Sequence, residues 1–557
     1  MPASSQSHRP ALCVLVATLA TAACGSPPAT GPQPEPSRPE TPAPAAAPVY
    51  VARGTLPPIP RAEGELRIRI VHPNMDDARP AVDSTFVFGS VGSGAAVLTI
   101  NGTPVAVAPN GAFLAFLPVP ADGQYHYTAR LGGQTAEATS GFRPAPVRPT
   151  AVTPADTATE GSPSPTPAPV APAPGAASTG AFAQALAART LTGDTAATGS
   201  DVAIGRPTPT GTYRWFLPRG ARLTAIGKRG DMVQVRLDSA TTAWFPDTAV
   251  ALGAAASSAP TAPLGSVTAR PTAGWVDVRI PAGGAPFLVE DRGTSWRVRV
   301  HGVPARDTTT ARVADALVTS VARAPAPGGS TDVTISFGAA PWGYKAFYDA
   351  QGTLVIRVRR APRIDPAQPL RGIRIAIDPG HPPAGAVGPT VMTEAEANLA
   401  VSLPLAEQLR AAGAEVLMTR TANVAVGLGE RTAMAVAWNA DLLVSVHNNA
   451  FAEGQNPFVL NGTSTYWFHP SGSALAQALD AQIVSVTGIR DLGAHDKNLA
   501  LVRATWFPST LTESLFMMVP EQEAALRDPA FVARLAAAHV RGIEAFLRAR
   551  AAASPNP

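Results

Sequence analysis

The stretch Arg374-Ile375-Ala376-Ile377-Asp378-Pro379-Gly380-His381 decides the fold of the C-terminal part of this chain. Its apolar run stops at a tight turn that ends on a histidine, which predicts a strand carrying His381 to one edge of a sheet. The stretch Leu442-Leu443-Val444-Ser445-Val446-His447 repeats this layout. Both runs are largely apolar rather than alternating, as in strands buried on both faces. Ligands gather beyond the carboxyl ends of such strands, so the two histidines are candidate ligands of one metal.

Around these two runs, residues 368–551 alternate strands with helices. This pattern predicts an α/β domain with a mostly parallel sheet flanked by helices. Thr393, followed three positions later by Glu396, has the pattern of a capping box and predicts a helix start. Pro404 is predicted to kink or divide that helix. The other predicted strands are Glu415–Thr419, Gly462–Phe468, Leu499–Arg503 and Thr510–Glu513.

Five segments of this domain occur in the order and at the approximate separations found in zinc-dependent N-acetylmuramoyl-L-alanine amidases. They are Ile375–His381, Glu394 with Asn398-Leu399, Val416–Arg420, Ser445–Ala450 and Pro508–Glu513. Residues 372–548 therefore resemble the catalytic domain of that family. The whole set carries the resemblance, rather than any single segment.

The resemblance implies a role for each of four side chains. The zinc ligands of the family fall on His381, Glu394 and His447, and its catalytic glutamate falls on Glu513. Two neutral imidazoles and one carboxylate leave an open coordination position, as in catalytic zinc sites. The metal would polarise the scissile carbonyl and activate water, and Glu513 would accept the proton of that water. The division of labour between the two glutamates comes from the resemblance, because spacing does not distinguish them.

The residues themselves leave structural alternatives open. Asp378-Pro379-Gly380 could serve only a turn, and Asp378 could also orient a metal ligand. Glu394 could be a carboxylate favoured by the positive end of a helix dipole. His447 could be a packed core histidine, and Glu513 could pair with Arg503.

Two further histidines are rival metal ligands. His469 also follows a predicted strand, and His495 lies in the next connection. We expect both to be substrate-side or solvent residues rather than ligands.

Upstream of this domain the composition changes several times. Short apolar runs with turn residues predict small all-β modules, and Pro/Ala/Thr-rich stretches predict linkers. In chain order the prediction is a disordered tether at 25–60, an immunoglobulin-like β-sandwich at 64–142, a linker at 143–198 with a short helix at 181–189, a module resembling bacterial SH3-like barrels at 199–252, and a β-rich module at 264–361. The last of these resembles targeting modules of wall hydrolases.

Residues 1–24 have the pattern of a secretory signal. Arg9 precedes the apolar run from Ala11 to Ala23, and small residues lead to Cys24. This end resembles a bacterial lipoprotein signal, which implies that Cys24 carries a lipid anchor after cleavage. The alternative is an ordinary cleaved signal. The run is too short for a membrane-spanning helix.

Composition limits the classes of function. The chain has 557 residues, 58 of them Pro, and a net charge of +4. Because the sequence contains no block rich in Lys and Arg, nucleic-acid binding has little support. Neither of the two cysteines is expected to form a disulfide.

Together these features predict an exported peptidoglycan hydrolase in the periplasm or cell envelope, anchored there by lipid. It would cut the amide between N-acetylmuramic acid and L-alanine, with a protein activator as a candidate partner. Two alternatives stay open at this point. One is a zinc peptidase that acts on another wall amide, and the other is a non-catalytic amidase-like scaffold that binds the wall.

Overall fold

The computed structural model describes residues 55–78, 80–143, 181–185, 202–252, 262–383 and 385–553. The predicted signal segment with Cys24, and most of the predicted tether, lie outside these residues. Within the described ranges, no helix is both long and apolar enough to cross a membrane. The domain boundaries stay predictions.

The N-terminal module consists of two antiparallel sheets packed face to face. Its strands are β1 (Arg69–His72), β2 (Ser84–Ser90), β3 (Val97–Ile100), β4 (Thr103–Val105), β5 (Ala112–Pro118), β6 (Gln124–Leu131) and β7 (Gln134–Gly141). One sheet has the order β1-β2-β5 and the other β4-β3-β6-β7. Asn101 and Gly102 have φ values of 48° and 76°. A two-residue turn between β3 and β4 requires such positive φ values.

The next strands are β8 (Ala181–Ala185), β9 (Val202–Gly205), β10 (Trp215–Pro218), β11 (Arg222–Arg229), β12 (Met232–Arg236), β13 (Thr242–Pro246) and β14 (Val250–Leu252). They form a sheet in the order β13-β12-β11-β8-β14 and a β9–β10 pair. The predicted helix at 181–189 is wrong, because residues 181–185 form a strand. The backbone of β8 pairs with β11 and β14, and this pairing overrides the helix propensity of an alanine-rich segment.

A third group of strands follows. They are β15 (Thr268–Pro271), β16 (Trp275–Ile280), β17 (Phe287–Asp291), β18 (Ser295–Val300), β19 (Thr309–Arg312), β20 (Val318–Ala326), β21 (Ser330–Phe337), β22 (Gly343–Tyr348) and β23 (Leu354–Arg359). The sheets have the orders β15-β16-β23-β22 and β17-β18-β21-β20-β19. In β16 and β18 every second side chain is buried, as their alternating sequences predict.

The second and third modules share one hydrophobic core. Buried side chains from Ala203 to Val250 and from Leu264 to Val358 belong to a single cluster. A buried polar group also joins the two modules: Trp215 Nε1 donates to His301 Nε2 at 3.4 Å, and His301 Nδ1 donates to Asp238 Oδ2 at 2.6 Å. His301 is therefore a structural histidine, as expected for a histidine without catalytic neighbours.

The C-terminal domain contains β24 (Arg374–Pro379), α1 (Glu394–Ala411), β25 (Glu415–Met418), α2 (Leu428–Ala437), β26 (Leu442–Asn449), α3 (Pro457–Leu460), β27 (Thr463–Trp467), α4 (Pro470–Thr487), β28 (Asp491–Asp496), β29 (Ser509–Phe516), α5 (Pro520–Leu526) and α6 (Pro529–Ala553). The sheet order is β25-β24-β26-β29-β27-β28. Strands β25, β24, β26 and β29 pair in parallel, whereas β27 runs antiparallel to β29, so the sheet is mixed. The predicted α/β arrangement is thus confirmed in part.

Two details of this domain differ from the sequence prediction. The segment Leu499–Arg503 is not a strand, because it contains a 3₁₀ turn at Ala500–Val502 and the sheet edge is formed by β28 instead. Pro404 lies inside α1 without dividing it. The capping box is confirmed, since Thr393 Oγ1 accepts from Glu396 N while the Glu396 carboxylate accepts from Thr393 N.

The third module docks at the end of the sheet where β26 begins. Trp342 is fully buried and its Nε1 donates to Asp441 O at 2.8 Å. The guanidinium of Arg359 donates to Asp441 Oδ1 at 2.5 Å and to Ala440 O at 2.7 Å. This buried pair lies at the opposite end of β26 from His447.

The Asp238–His301 contact gives a pH-dependent stability. Burial opposes ionisation of Asp238, but its hydrogen bonds, that from His301 foremost, outweigh burial and lower its pKa from 3.8 to about 2. A carboxyl with a lowered folded pKa stabilises the protein above its unfolded pKa, and this stabilisation is lost as the pH falls from about 4 to about 2. We expect Asp238→Asn to abolish about 2 kcal/mol of that acid-dependent change in unfolding free energy, measured by urea unfolding. Asp247→Asn, which breaks a more exposed pair with Lys228, is the control and should keep the full acid dependence.

Candidate metal centre

The carboxyl ends of β24 and β26 meet at one edge of the sheet because the two strands pair in parallel, with Pro379 opposite Val446. His381 lies just beyond β24, and His447 lies near the end of β26. Glu394 is the first residue of α1, which begins at the same edge. The candidate ligand atoms of these three residues all lie within 4.8 Å of one another.

The Glu394 carboxylate is the centre of this group. Its Oε2 lies 3.2 Å from His381 Nε2, and its Oε1 lies 3.0 Å from His447 Nδ1. Backbone and side-chain donors fix it further, with Ala386 N at 3.0 Å and Asn398 Nδ2 at 3.2 Å. Burial opposes ionisation, but the hydrogen bonds from the two histidines outweigh it and hold the pKa of Glu394 well below its ordinary value.

The environment of His381 determines which ring nitrogen faces the carboxylate. His381 Nδ1 donates to Pro383 O at 3.2 Å, which leaves Nε2 directed at Glu394. The hydrogen bond to Glu394 raises the pKa of His381. The residue has a φ of 56°, in the left-handed region that is uncommon outside glycine. Such a conformation persists only where its surroundings hold it.

Gly380 makes room for His447. A Cβ on Gly380 would lie 2.3 Å from His447 Cε1 and Nε2, so any larger residue would displace the ring. The two imidazoles stand nearly perpendicular, with ring centroids 5.0 Å apart.

The donor set fits a divalent transition metal. Two imidazole nitrogens and one carboxylate converge on a single region, and lone pairs that face one another need a proton or a cation between them. Imidazole and carboxylate together are typical ligands of zinc and its neighbours in the first transition row. The structure thus contains a His/Glu/His candidate metal site.

Glu513 lies beside this group. It stands opposite His447 in the parallel register of β26 and β29. Its Oε2 is buried and, among the described residues, has no hydrogen-bond partner. Burial, and secondly the charge of Glu394, raise the pKa of Glu513 well above its ordinary value. A buried carboxyl group with a raised pKa next to a candidate metal site is a candidate for proton transfer.

Arg503 and the two rival histidines have other partners in the structure. Arg503 does not pair with Glu513 in the structure, since its Nε donates to Asn498 Oδ1 at 2.6 Å and its guanidinium lies 4.4 Å from the Tyr213 ring centroid. His469 Nε2 donates to Arg503 O at 3.0 Å, and burial lowers the pKa of His469 to about 4. His495 Nε2 donates to Leu492 O at 2.7 Å. Neither histidine belongs to the metal-site group.

Two buried arginines hold the loop that carries His381. The sequence did not predict this role for them. Arg431 on α2 donates to Pro379 O at 2.7 Å, His381 O at 2.9 Å and Pro382 O at 2.9 Å. Arg420 donates to Pro379 O and to Gly380 O, each at 2.8 Å. The available signal was an arginine in helix α2 shortly before its small and apolar residues 433–437.

Asp378 completes the brace. It is fully buried, lies 3.1 Å from Arg431 Nη1, and accepts hydrogen bonds from Thr419 and Ser445 at 2.5 and 2.7 Å. Asp378 therefore does not act only in a turn. It anchors the guanidinium that holds the His381 backbone.

Comparison with known proteins finds relatives of the C-terminal domain. A family model described as N-acetylmuramoyl-L-alanine amidase matches residues 375–545. A probable cell wall amidase of Staphylococcus aureus, LytH, is 32% identical over 185 residues, which are 32% of this chain and 60% of that protein. The chain thus spans less than two thirds of the length of this relative.

Similar solved structures come from two other bacteria. An N-acetylmuramoyl-L-alanine amidase from Clostridium difficile 630 is 29% identical, with 32% of this chain and 97% of that chain covered and a TM-score of 0.30. The catalytic domain of CwlV from Bacillus (Paenibacillus) polymyxa is 30% identical, with 31% of this chain and 98% of that chain covered and a TM-score of 0.30.

The brace predicts a specific loss of metal affinity. We expect Arg431→Met to weaken Zn²⁺ binding by about 10–100-fold, because the His381 backbone loses its support. Isothermal titration of metal-free protein measures this. Arg359→Met is the matched control: it also breaks a buried arginine–aspartate pair, at about 3 kcal/mol of stability, but at the other end of the sheet. Equal Zn²⁺ affinity of the two variants would contradict the role of Arg431.

Proposed function

We propose that this protein is a zinc-dependent peptidoglycan hydrolase, because residues 375–545 match the family model of N-acetylmuramoyl-L-alanine amidases. It cuts the amide bond between the lactyl group of N-acetylmuramic acid and L-alanine. The observation that carries the proposal is the convergence of His381, Glu394 and His447 on one point, with Glu513 in register beside His447.

His381, Glu394 and His447 would hold the zinc ion, leaving a position open to water and substrate. When bound, the ion supplies Lewis acidity toward the scissile carbonyl and acidifies the attacking water. The negative charge of the Glu394 carboxylate suits a cation, and the hydrogen bonds from Ala386 N and Asn398 Nδ2 hold its orientation.

Glu513 acts as the general base and then as the general acid. It accepts a proton from the attacking water and delivers it to the nitrogen of the leaving L-alanine. The products are a lactyl carboxylate on the sugar and an ammonium group on the stem peptide. The oxygen of the water stays on the carboxylate and both of its protons end on the nitrogen, so atoms and charge balance. A raised pKa supports this exchange, because a carboxyl that readily holds a proton can return it to the amine.

The cell envelope is the place of action that fits this substrate. The sequence pattern at Cys24 supports export with a lipid anchor. Peptidoglycan is the proposed partner, and a protein activator is a second candidate. Both the zinc peptidase and the non-catalytic scaffold remain outcomes of the following test.

The test compares wild type with Glu513→Ala. We expect the variant to retain stoichiometric zinc and to lose hydrolysis of purified peptidoglycan by at least about 10²-fold, because only proton transfer is removed. Analysis of the released fragments by mass spectrometry should show free stem peptides for the wild type. Glu415→Ala, at an exposed position of β25, is the control and should behave as wild type.

Two results would overturn the proposal in different ways. Cleavage of wall peptides without release of whole stem peptides identifies a peptidase. Zinc-loaded wild type that releases no fragment identifies a wall-binding scaffold.

A further inference from the structure

The N-terminal sandwich packs against the C-terminal domain at the sheet edge that carries the candidate metal site. One hydrophobic cluster, which we call the bridging cluster, contains side chains from both: Phe86, Phe88 and Leu114 from the sandwich, and Phe451, Phe516, Met518 and Val519 from the C-terminal domain. Strand β2 is consequently buried on both of its faces, since Val87 points into the core of the sandwich. The sandwich therefore makes a direct hydrophobic contact with the C-terminal domain.

The bridging cluster lies where the two functional strands end. Phe451 follows β26, which carries His447, and Phe516 is the last residue of β29, which carries Glu513. The rings of Phe451 and Phe516 stack with centroids 4.2 Å apart and an interplanar angle of 16°. Burial of this aromatic pair by the sandwich thus stabilises the chain immediately beyond His447 and Glu513.

A polar contact holds the tip of the loop that follows. Glu453 Oε1 lies 3.0 Å from His72 Nε2, and its other oxygen accepts a hydrogen bond from Thr85 Oγ1. His72 Nδ1 lies 3.2 Å from Asp77 Oδ2, which orients the ring. Burial opposes ionisation of Glu453, but the close contact with His72 and the hydrogen bond from Thr85 outweigh it and lower its pKa.

The backbone of the loop also touches the sandwich. Gly454 N donates to Thr85 Oγ1 at 3.5 Å. A Cβ on Gly454 would lie 2.8 Å from Val82 Cγ1, and its φ of 81° favours glycine. The loop tip and the sandwich therefore fit closely.

The loop 450–461 has few buried side chains, and most of its hydrogen bonds are local ones within the loop. Its short helix α3 exposes Phe458, Val459 and Leu460 by 41%, 57% and 42%. At its far end, Asn461 Oδ1 accepts a hydrogen bond from Gln522 Nε2 at 3.1 Å. A long connection with few buried contacts opens locally unless something outside it holds it.

We propose that the N-terminal sandwich clamps the loop 450–461 and so sets the substrate-facing wall beside His447. His72, Thr85 and Glu453 are positioning residues, because they act on substrate through the loop rather than by contact with the reacting atoms. This inference rests on the proposed amidase function for its substrate, and on the contacts above for the clamp. It assigns the sandwich a part in recognition of the glycan strand and stem peptide.

The test uses the full chain with Glu453→Ala and Thr85→Val. Thr85→Val keeps the side-chain shape and removes only the hydroxyl that bonds to Glu453 and Gly454. We expect amide hydrogen exchange of peptides covering 450–461 to rise by about tenfold in both variants, because a charge-assisted contact is lost. Glu137→Ala is the control, since Glu137 is exposed on the other sheet of the sandwich.

Kinetics on purified peptidoglycan then separate positioning from mere stability. The KM of both variants should rise about tenfold, with kcat and zinc content unchanged, because the metal site itself is untouched. Unchanged exchange in 450–461 would overturn the clamp. Raised exchange with unchanged KM would overturn its role in recognition. If wild type released no fragment, the amidase function would fail while the exchange measurement still decided the clamp.

Discussion

Parallel pairing of β24, β26 and β29 is the constraint on which the candidate metal site of this protein depends. Hydrogen bonding in register sets Pro379 beside Val446 and His447 beside Glu513. Parallel strands bring their carboxyl ends to the same edge, so residues distant in the chain meet there without further guidance. The start of α1 then supplies Glu394 to the same edge.

Buried charge stabilises that edge because it is paired and hydrogen-bonded. Asp378 and Arg431 are almost without solvent contact, and the guanidinium satisfies both the carboxylate and the backbone carbonyls of the His381 loop. Taking such a pair out of water costs free energy that only good geometry offsets. Here the geometry also holds His381 in an uncommon backbone conformation next to Glu394.

The small β modules pack against one another and against the C-terminal domain. The second and third share one core, and the third reaches the C-terminal domain through Trp342 and Arg359. The N-terminal sandwich covers the aromatic pair beyond the functional strands. Its continuous apolar run Thr85–Phe88 was a signal for burial on two faces, and it was available in the sequence.

The sequence by itself determined the local and periodic features: the buried strands that end near His381 and His447, the capping box at Thr393, and the alternating strands of the third module. Each depends on hydrophobic burial or backbone capping within a short stretch of chain. Neighbouring residues in the sequence are therefore enough to predict it. Tertiary structure alone decided that 181–185 is a strand, that Arg431 braces the His381 loop, and that the sandwich rests on 450–461. Those outcomes depend on partners hundreds or tens of residues away, and no local pattern specifies which partner a strand edge, a buried guanidinium or an apolar face will meet.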